Sequence, residues 1–347
     1  MLSSTSVAQA RVVLKPSNDL RLSKERPYKP LVSIGLPVFN GENYIEDAID
    51  SILKQTLTDF ELIIADNAST DGTQAICEGF ARSDNRVVYR RNAQNIGAAK
   101  NFNLVFKLSS GAYFKWAAHD DVLDPNFLAK CVAAIDEEPS IVLSFSRVIN
   151  IDEQGRKLGR YPDQLDRVTS HSIQERFKNL ILNDQWCFEV FGLIRSDVLA
   201  RTNLIGSFVS SDAVLRAELG LLGRFRIIQE DLFFNRDHPQ RSIRSLPGHH
   251  QRATWFDPLN HRRIQLPQWR VLNEYYRSIQ RSPLVPEVRH HCYLTLLQWV
   301  LTNWNWLMLL SNFLLAVAPR SWSLVWRFKQ LKRKFFRSKN EYQLFKY

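Results

Sequence analysis

Leu31–Val38 (LVSIGLPV) and Phe60–Ala65 (FELIIA) are two short, uninterrupted apolar runs near the start of the chain. Such runs are typical of strands that are buried on both faces of a parallel sheet. Apolar residues recur at helical spacing over Glu42–Gln55, and a second helical pattern covers Thr73–Arg82. This alternation of strands and helices predicts an α/β fold with a mostly parallel sheet and helices on both faces.

The alternation continues to about residue 150. Further strands are predicted over Arg86–Arg90, Ala112–Ala117 and Ile141–Ile149, and further helices over Ala98–Leu108 and Asn126–Asp136. In sheets of this kind, ligands bind at the carboxyl ends of the strands. The candidate functional residues are therefore the polar side chains that follow the predicted strands: Asn40, Asp66, Asp71, His119, Asp120 and Asp121.

Three of these candidates are carboxylates that closely follow an apolar run. Asp66 could accept hydrogen bonds from a nucleobase or a ribose, or it could form an Asx-turn or cap the next helix. Asp120 and Asp121 are adjacent, and neighbouring carboxylates repel each other unless a cation lies near them. Hard oxygen ligands suit Mg²⁺ or Mn²⁺, whereas a solvated acidic loop before a helix is the structural alternative.

Four segments of the chain resemble one enzyme family when they are taken together. They are Pro37–Ile45 (PVFNGENYI), Glu61–Thr73 (ELIIADNASTDGT), Asn95–Leu104 (NIGAAKNFNL) and Lys115–Leu128 (KWAAHDDVLDPNFL). Their order and spacing over residues 31–130 resemble the nucleotide-binding half of the inverting glycosyltransferases of family 2, which have the GT-A fold. The resemblance implies a Rossmann-like sheet and a nucleotide-diphospho-sugar donor.

The resemblance also implies roles for individual residues on the nucleotide side. Pro37, Phe39 and Glu42 should flank the nucleotide. Asp66 should hydrogen-bond the base. Lys100 should lie near the nucleotide, with an exposed helical lysine as the alternative interpretation.

The acidic pair is where the resemblance implies a metal. Asp120 should contact the ribose or the metal, and Asp121 should bind the Mg²⁺ or Mn²⁺ ion that bridges the diphosphate. The sequence departs from the family here, because Ala118-His119-Asp120 stands where the family often has Asp-x-Asp. His119 is interpreted as a turn residue, with a ligand or ribose contact as the alternative.

A second part of the resemblance concerns the acceptor. Cys187–Arg195 (CFEVFGLIR) resembles the strand that opens the acceptor region, and a helical pattern follows over Ala213–Leu222. In the family an Asp at the start of a helix, usually within Glu-Asp, deprotonates the acceptor hydroxyl. The corresponding pair here is Ser211-Asp212, so Asp212 is the predicted base, with a helix cap as the alternative. A helix N-terminus favours the ionised carboxylate that a base requires.

Two later segments complete the comparison with the family. Phe234–Pro239 (FNRDHP) resembles the loop that closes over the donor, in which Arg236 or His238 should neutralise the diphosphate or touch the metal. Ordinary loop residues are the alternative. Gln251–Trp255 (QRATW) differs in order from the Gln-x-x-Arg-Trp of the family's processive polymerases, which favours addition of a single sugar.

The net charge of +11 is unevenly distributed over the 347 residues. Residues 1–240 hold 28 Lys+Arg and 31 Asp+Glu, a net charge of −3, whereas residues 241–347 hold 18 and 4, a net charge of +14. Seven of the nine Trp residues also follow residue 240. This basic, Trp-rich C-terminal region favours an anionic membrane surface as a partner over nucleic acid.

His290–Pro319 contains no Asp, Glu, Lys or Arg and would span roughly 45 Å as one helix. An interfacial or re-entrant helix, a packed core helix and a single transmembrane span all remain open. The first two are favoured by polar residues near one helical face: Thr295, Gln298, Thr302, Asn305 and Asn312. The expected location is cytoplasmic, at the inner membrane face, because one crossing would put the basic tail outside.

The chain is therefore divided into a mobile segment (1–30), a GT-A domain (31–245) and a basic, Trp-rich helical extension (246–347). The GT-A domain comprises a nucleotide-binding half (31–150) and an acceptor half (151–245). The predicted function is metal-dependent, inverting transfer of a single sugar to a hydroxyl of a glycan or lipid-linked acceptor, in cell-surface glycan or glycolipid assembly. The alternatives are a sugar-nucleotide pyrophosphorylase, which should carry an early Gly-rich phosphate loop, and a non-enzymatic basic binding protein.

Overall fold

The computed structural model describes residues 29–161, 168–183, 187–246, 248–262, 266–302 and 305–317. Most of the predicted N-terminal segment and the basic tail from residue 318 lie outside these ranges.

Strands and helices alternate through the first half of the described residues, as predicted. The strands are β1 (Val32–Val38), β2 (Phe60–Asp66), β3 (Val87–Arg91), β4 (Tyr113–Trp116), β5 (Val122–Leu123), β6 (Ile141–Ile151), β7 (Lys157–Arg160), β8 (Leu193–Arg195) and β9 (Arg224–Arg236). The helices are α1 (Ile45–Leu53), α2 (Thr73–Ser83), α3 (Ala98–Lys107), α4 (Phe127–Asp136), α5 (Ile173–Leu182), α6 (Ser196–Leu199), α7 (Ser211–Leu222), α8 (Ser242–Ser245), α9 (His249–Phe256), α10 (Pro267–Arg281), α11 (Pro286–Leu301) and α12 (Asn305–Val317). Phe188–Phe191 and Pro258–Arg262 form 3₁₀ turns.

The strands β1 and β2 are buried at every position, which is why they read as continuous apolar runs. Alternate residues of β2 point to opposite faces of the sheet. Ile63 and Ala65 pack in one apolar cluster, whereas Leu62 and Ile64 pack in another. The sheet is therefore covered on both faces, and the predicted α/β class is confirmed.

The strand order is β3-β2-β1-β4-β8-β6-β9-β5, with β7 paired to β6. The neighbours β3-β2-β1-β4 are parallel, and β9 is parallel to β6. Because β8 is antiparallel to both β4 and β6, the carboxyl ends of β4, β6 and β9 lie at the same edge as those of β1 to β3. We call this the carboxyl edge.

The helix α7 enters β9 through the single residue Gly223. A helix joined to a strand by so short a turn runs back against that strand. The N-terminus of α7, which carries Asp212, therefore faces the carboxyl edge. This topology brings the predicted base to the same side of the sheet as Asp66 and Asp120.

The predicted strand Cys187–Arg195 is only partly formed. Phe188–Phe191 is a 3₁₀ turn, and the strand β8 covers Leu193–Arg195 alone. The physical reason is that Glu189, within the apolar run, turns inward to the buried guanidinium of Arg216. A continuous strand pattern in the sequence cannot reveal that ion pair.

The charge-free stretch His290–Pro319 is not one helix. α11 ends at Leu301 and α12 begins at Asn305. The side chain of Thr302 donates to the Gln298 carbonyl, and that of Asn305 donates to the Trp299 carbonyl. These bonds provide partners for two of the carbonyl groups at the C-terminus of α11. Within the described residues, no helix combines the length and the apolar character needed to cross a membrane.

The predicted polar stripe on this stretch does not face one environment either. Thr295 and Asn312 are buried, whereas Gln298 is exposed. α11 packs against α5 and α10, and Cys292 and Trp299 belong to one of the two apolar clusters that cover the sheet. The described part of the stretch is therefore packed on the protein along one side.

Candidate active site at the carboxyl edge

Asp66, at the end of β2, is completely buried and holds a cluster of polar groups. Its Oδ1 accepts from the Ser69 backbone N–H at 2.8 Å. Its Oδ2 accepts from the Tyr89 hydroxyl at 2.8 Å and from Arg91 Nη1 at 2.7 Å. Burial, together with the hydrogen bond to Asp66, raises the pKa of Tyr89, so the phenol remains a donor.

Tyr89 and Arg91 were not among the sequence-based candidates. A carboxylate oxygen can accept more than one hydrogen bond, so contact between Asp66 and a nucleobase remains a prediction. The guanidinium of Arg91 is the most exposed member of this cluster, and its Nη2 donates to the Ser69 carbonyl at 2.9 Å. The signal that could have found these residues is the register of β3 beside β2, where Arg91 is the partner of Asp66.

The loop after β1 is tied to the loop after β2. The backbone N–H of Asn40 donates to Ser69 Oγ at 2.9 Å, and Asn40 Oδ1 accepts from the Thr70 backbone at 2.8 Å. Asn40 has a φ of 53°, a left-handed conformation that Asn tolerates better than most residues. The two loops therefore present one continuous rim to a ligand.

The structure places the three residues predicted to flank the nucleotide in different surroundings. Pro37 is buried inside β1, beyond the last residue that pairs with β4, so its missing N–H leaves no gap in that ladder. Phe39 is 42% exposed at the rim. Glu42 accepts from the Gly72 backbone at 2.6 Å and thus holds the start of α2.

A ladder of asparagines, which sequence reasoning missed, supports the rim from the α3 side. Asn67 Oδ1 accepts from Asn92 Nδ2 at 3.2 Å and from the Ile96 backbone at 2.9 Å. Asn101 Oδ1 accepts from Asn92 at 2.9 Å, and Asn101 Nδ2 reaches the Ala65 carbonyl at 2.7 Å. These side-chain amides provide hydrogen-bond partners for backbone groups near the ends of β2 and β3.

Lys100 lies on the first turn of α3 and is half-exposed. Its Nζ is 3.8 Å from Asp257 Oδ1, so the structure links it to the segment after α9. Gly97, just before the helix, has a φ of 86°, and a Cβ there would lie 2.7 Å from the Phe256 carbonyl oxygen. A role of Lys100 beside the nucleotide remains a prediction.

Asp120 and Asp121 lie between β4 and β5 and are held by residues at the end of β9. His238 Nε2 is 2.9 Å from Asp120 Oδ2, and the Arg236 backbone N–H donates to Asp121 Oδ1 at 3.0 Å. His119, beside them, packs so closely on Gly41 that a Cβ at residue 41 would lie 2.6 Å from its ring.

The pKa values of the two adjacent carboxylates shift in opposite directions. Burial, followed by the charge of Asp120, raises the pKa of Asp121. Burial opposes ionisation of Asp120 as well, but His119 and His238 outweigh it and lower the pKa of that carboxyl. Burial and the repulsion between the two carboxylates therefore oppose ionisation of both at once unless a cation lies near them.

This pair fits a divalent cation in its chemistry. A bound cation would allow both carboxylates to ionise, and Nδ1 of His238 is buried with no hydrogen-bond partner among the described residues. The described residues contain no group of three or more His, Cys, Asp or Glu side chains that could hold a metal by themselves. Mg²⁺ is commonly held by one or two carboxylates together with substrate phosphates, which matches this arrangement.

Asp212 is half-buried in the first turn of α7, and its Oδ1 accepts from the Ala213 backbone at 2.9 Å. The N-cap residue is Ser210, which has a left-handed φ of 69° and makes no side-chain cap bond. Ser211 Oγ is buried without a partner among the described residues. Strained backbone and unsatisfied polar groups are common at functional sites.

One helical turn beyond Asp212 lies a buried ion pair that was not predicted. Arg216 Nη1 lies 3.1 Å from Glu189 Oε1, and Nη2 donates to the Leu180 carbonyl at 3.2 Å. Both charged side chains are almost completely buried. The pair joins α7 to the 3₁₀ turn Phe188–Phe191.

Comparison with known proteins points to one family. Residues 33–204 match the model for glycosyl transferase family 2, a match that ends before Asp212. An uncharacterized glycosyltransferase of Rickettsia typhi is 39% identical over 103 residues, which cover 30% of this chain and 31% of that protein. The glycosyltransferase TuaG of Bacillus subtilis, whose name assigns it provisionally to teichuronic acid biosynthesis, is 30% identical over 155 residues, which cover 45% of this chain and 60% of TuaG.

The chain thus spans less than two thirds of the length of these relatives. Among solved structures, residues 1–349 of TarS from S. aureus superpose with a TM-score of 0.59 at 17% identity, over 83% of this chain and 81% of that one. The mannosyltransferase PcManGT of Pyrobaculum calidifontis, in complex with GDP-Man and Mn²⁺, gives 0.51 at 15% identity, over 90% and 82%. Because the family match covers the strands and rim loops described above, we conclude that residues 33–204 resemble the glycosyl transferase family 2 domain and share the GT-A fold with these solved structures.

Proposed function

We propose that the chain is a metal-dependent inverting glycosyltransferase that moves a single sugar from a nucleotide-diphospho-sugar to an acceptor hydroxyl. The observation that carries the proposal is the arrangement of the carboxyl edge. The topology brings the Asp66 cluster, the Asp120–Asp121 pair and the Asp212 end of α7 to that one edge.

In the proposed reaction, Asp212 accepts the proton of the acceptor hydroxyl. The acceptor oxygen attacks the anomeric carbon on the face opposite the diphosphate, the bond from that carbon to the phosphate oxygen breaks, and the nucleoside diphosphate leaves. Asp120 and Asp121 would hold the divalent ion, which stabilises the negative charge that develops on the leaving diphosphate. Phe39 on the rim, together with Asp66 and the more exposed Arg91 that binds it, would orient the nucleoside.

The predicted base can be tested by substitution. Asp212→Asn removes the proton acceptor with little change in shape, so transfer should fall at least about 100-fold while donor binding persists. Asp50→Asn, on an exposed face of α1 where it pairs with Lys54, is the matched control. Near-normal turnover of Asp212→Asn would remove Asp212 from this role.

The donor can be found by screening nucleotide sugars with and without Mn²⁺ for thermal stabilisation and hydrolysis. UDP-GlcNAc and GDP-Man are the first probes, because structural neighbours were solved in complex with them. No stabilisation by any donor in the presence of metal would favour a non-enzymatic binding protein. Product length then tests single addition, since a polymeric product would contradict it.

We further propose that the acceptor belongs to cell-surface glycan or glycolipid assembly and that the protein works peripherally at the inner membrane face. The relation to TuaG supports the first point. A stripe of exposed leucines on α11 (Leu294, Leu297 and Leu301) together with the net charge of +14 over residues 241–347 supports the second. Flotation with anionic but not with zwitterionic vesicles is expected, and flotation with neither would refute the proposal.

A further inference from the structure

Arg236 is the last residue of β9, and its side chain is only 3% exposed. The sequence-based expectation is that Arg236 or His238 neutralises the donor diphosphate or touches the metal. A residue with such a role presents unpaired N–H groups to the ligand at the carboxyl edge. Each of the three guanidinium nitrogens of Arg236 instead donates to another part of the protein.

The guanidinium of Arg236 joins three separate elements. Its Nε donates to the Asp120 carbonyl at 3.0 Å, in the loop before β5. Its Nη1 donates to the Glu153 carbonyl at 2.8 Å, in the turn between β6 and β7. Its Nη2 donates to Asp47 Oδ2 at 2.9 Å, in the first turn of α1, and its charge lies 4.9 Å from the centre of the Tyr44 ring.

The main chain of Arg236 holds the second carboxylate of the acidic pair. Its N–H donates to Asp121 Oδ1, while its side chain fixes the backbone of Asp120. Two residues later, His238 contacts the carboxylate of Asp120, and its ring packs on that of Tyr44 in a tilted arrangement with the centroids 4.5 Å apart. The side-chain bonds of Arg236 therefore fix the end of β9 and, with it, the direction of the amide that binds Asp121.

We propose that Arg236 is a positioning residue that holds Asp120 and Asp121 in the arrangement that binds a divalent cation, and that it does not bind the diphosphate. The inference rests on the metal-dependent function proposed above. Residues that orient metal ligands commonly change metal affinity by about 10- to 100-fold when they are replaced. The effect should therefore appear in metal affinity, separately from any effect on nucleotide binding.

The test is Mn²⁺ binding to the purified protein at saturating UDP, monitored by electron paramagnetic resonance, with UDP binding to the metal-free protein measured separately. Arg236→Lys keeps the positive charge but cannot form the three-way fork, so its Mn²⁺ affinity should fall at least about 10-fold. Arg244→Lys is the matched control, because Arg244 is more exposed and binds Asp237 instead. It should retain the wild-type affinity.

A second variant decides the question if Arg236→Lys does not fold. Asp47→Ala removes one arm of the fork at a largely exposed carboxylate and should weaken Mn²⁺ binding in the same direction, though less. Wild-type Mn²⁺ affinity in Asp47→Ala, and in Arg236→Lys if it folds, would overturn the inference. Weaker UDP binding by metal-free Arg236→Lys at unchanged Mn²⁺ affinity would instead place Arg236 on the diphosphate.

The proposed function is judged by a separate variant. Asp121→Asn should abolish Mn²⁺ binding. If it does so while Arg236→Lys and Asp47→Ala bind Mn²⁺ normally, only the positioning role of Arg236 fails. If Asp121→Asn binds Mn²⁺ as the wild type does, the assignment of the metal to the acidic pair fails.

Discussion

Lys115 is a charged residue inside β4 with no exposed surface. Its Nζ donates to the Phe191 carbonyl and lies 4.5 Å from the centre of the Phe127 ring. Burial lowers the pKa of Lys115 from 10.5 to about 8, because the uncharged amine is easier to desolvate. Burial of the charged lysine therefore lowers the unfolding free energy at neutral pH, by an amount that depends on pH.

The first prediction follows from that shift. Between pH 8 and 10.5 the unfolded chain binds more protons at Lys115 than the folded chain. The unfolding free energy of the wild type, relative to Lys115→Met, should therefore rise with pH across this window, by at most about 3 kcal/mol. Urea unfolding at pH 7.5, 9 and 10 measures it, and a pH-independent difference would show that the buried lysine does not titrate.

The second prediction concerns the buried pair of Glu189 and Arg216. Glu189→Ala leaves an uncompensated guanidinium and should cost about 3–5 kcal/mol of unfolding free energy. The double variant Glu189→Leu with Arg216→Leu should cost much less than the sum of the single substitutions, because neither charge is then left unpaired. Urea unfolding of Glu189→Leu, Arg216→Leu and the double variant gives the coupling, and simple additivity would contradict the pairing.

At the scale of elements, the segment formed by α9 and the 3₁₀ turn Pro258–Arg262 bridges two sides of the carboxyl edge. Asn260 Nδ2 donates to the Ser207 carbonyl at 2.9 Å, in the loop that leads to Asp212. On the other side, Asp257 approaches Lys100, and the backbone at Gly97 packs against Phe256 and Pro258. This close approach requires a glycine at the start of α3.

The third prediction tests that contact. Gly97 has φ 86° and ψ 155°, a region almost confined to glycine, so Gly97→Ala should cost about 1–3 kcal/mol and loosen the segment. The control is Gly79→Ala inside α2, where a Cβ meets nothing within 4 Å. That change should stabilise the protein by roughly 0.5–1 kcal/mol. Thermal unfolding and proteolysis of residues 249–262 measure both, and equal effects would contradict the packing at Gly97.

At the scale of the whole molecule, α10 and α11 pack into the core of the GT-A domain. Arg281 on α10 donates to the buried carboxylate of Glu218 on α7 at 3.0 Å. Tyr275 and Trp299 lie in the same apolar cluster as Phe177 of α5. A domain boundary at residue 245 remains a prediction, but the two parts share one core.

The fourth prediction is that a chain ending at residue 246 does not unfold cooperatively. Its α5 and α7 would expose the apolar surface that α10 and α11 cover, including the helix that carries Asp212. A chain ending at residue 317 keeps all the described contacts and is the control. Circular dichroism melting decides between them, and a sharp transition in the shorter chain would show an independent domain.

The sequence alone determined the parallel sheet, the carboxyl edge and the acidic residues on it, because buried strands and amphipathic helices leave local, periodic patterns. It also placed the excess positive charge after residue 240. Only the tertiary structure decided that Arg91 and Tyr89 hold Asp66, that Glu189 pairs with Arg216, and that Arg236 faces inward. A local pattern shows where a charged residue stands, whereas its partner depends on which distant segments the fold brings within hydrogen-bond distance.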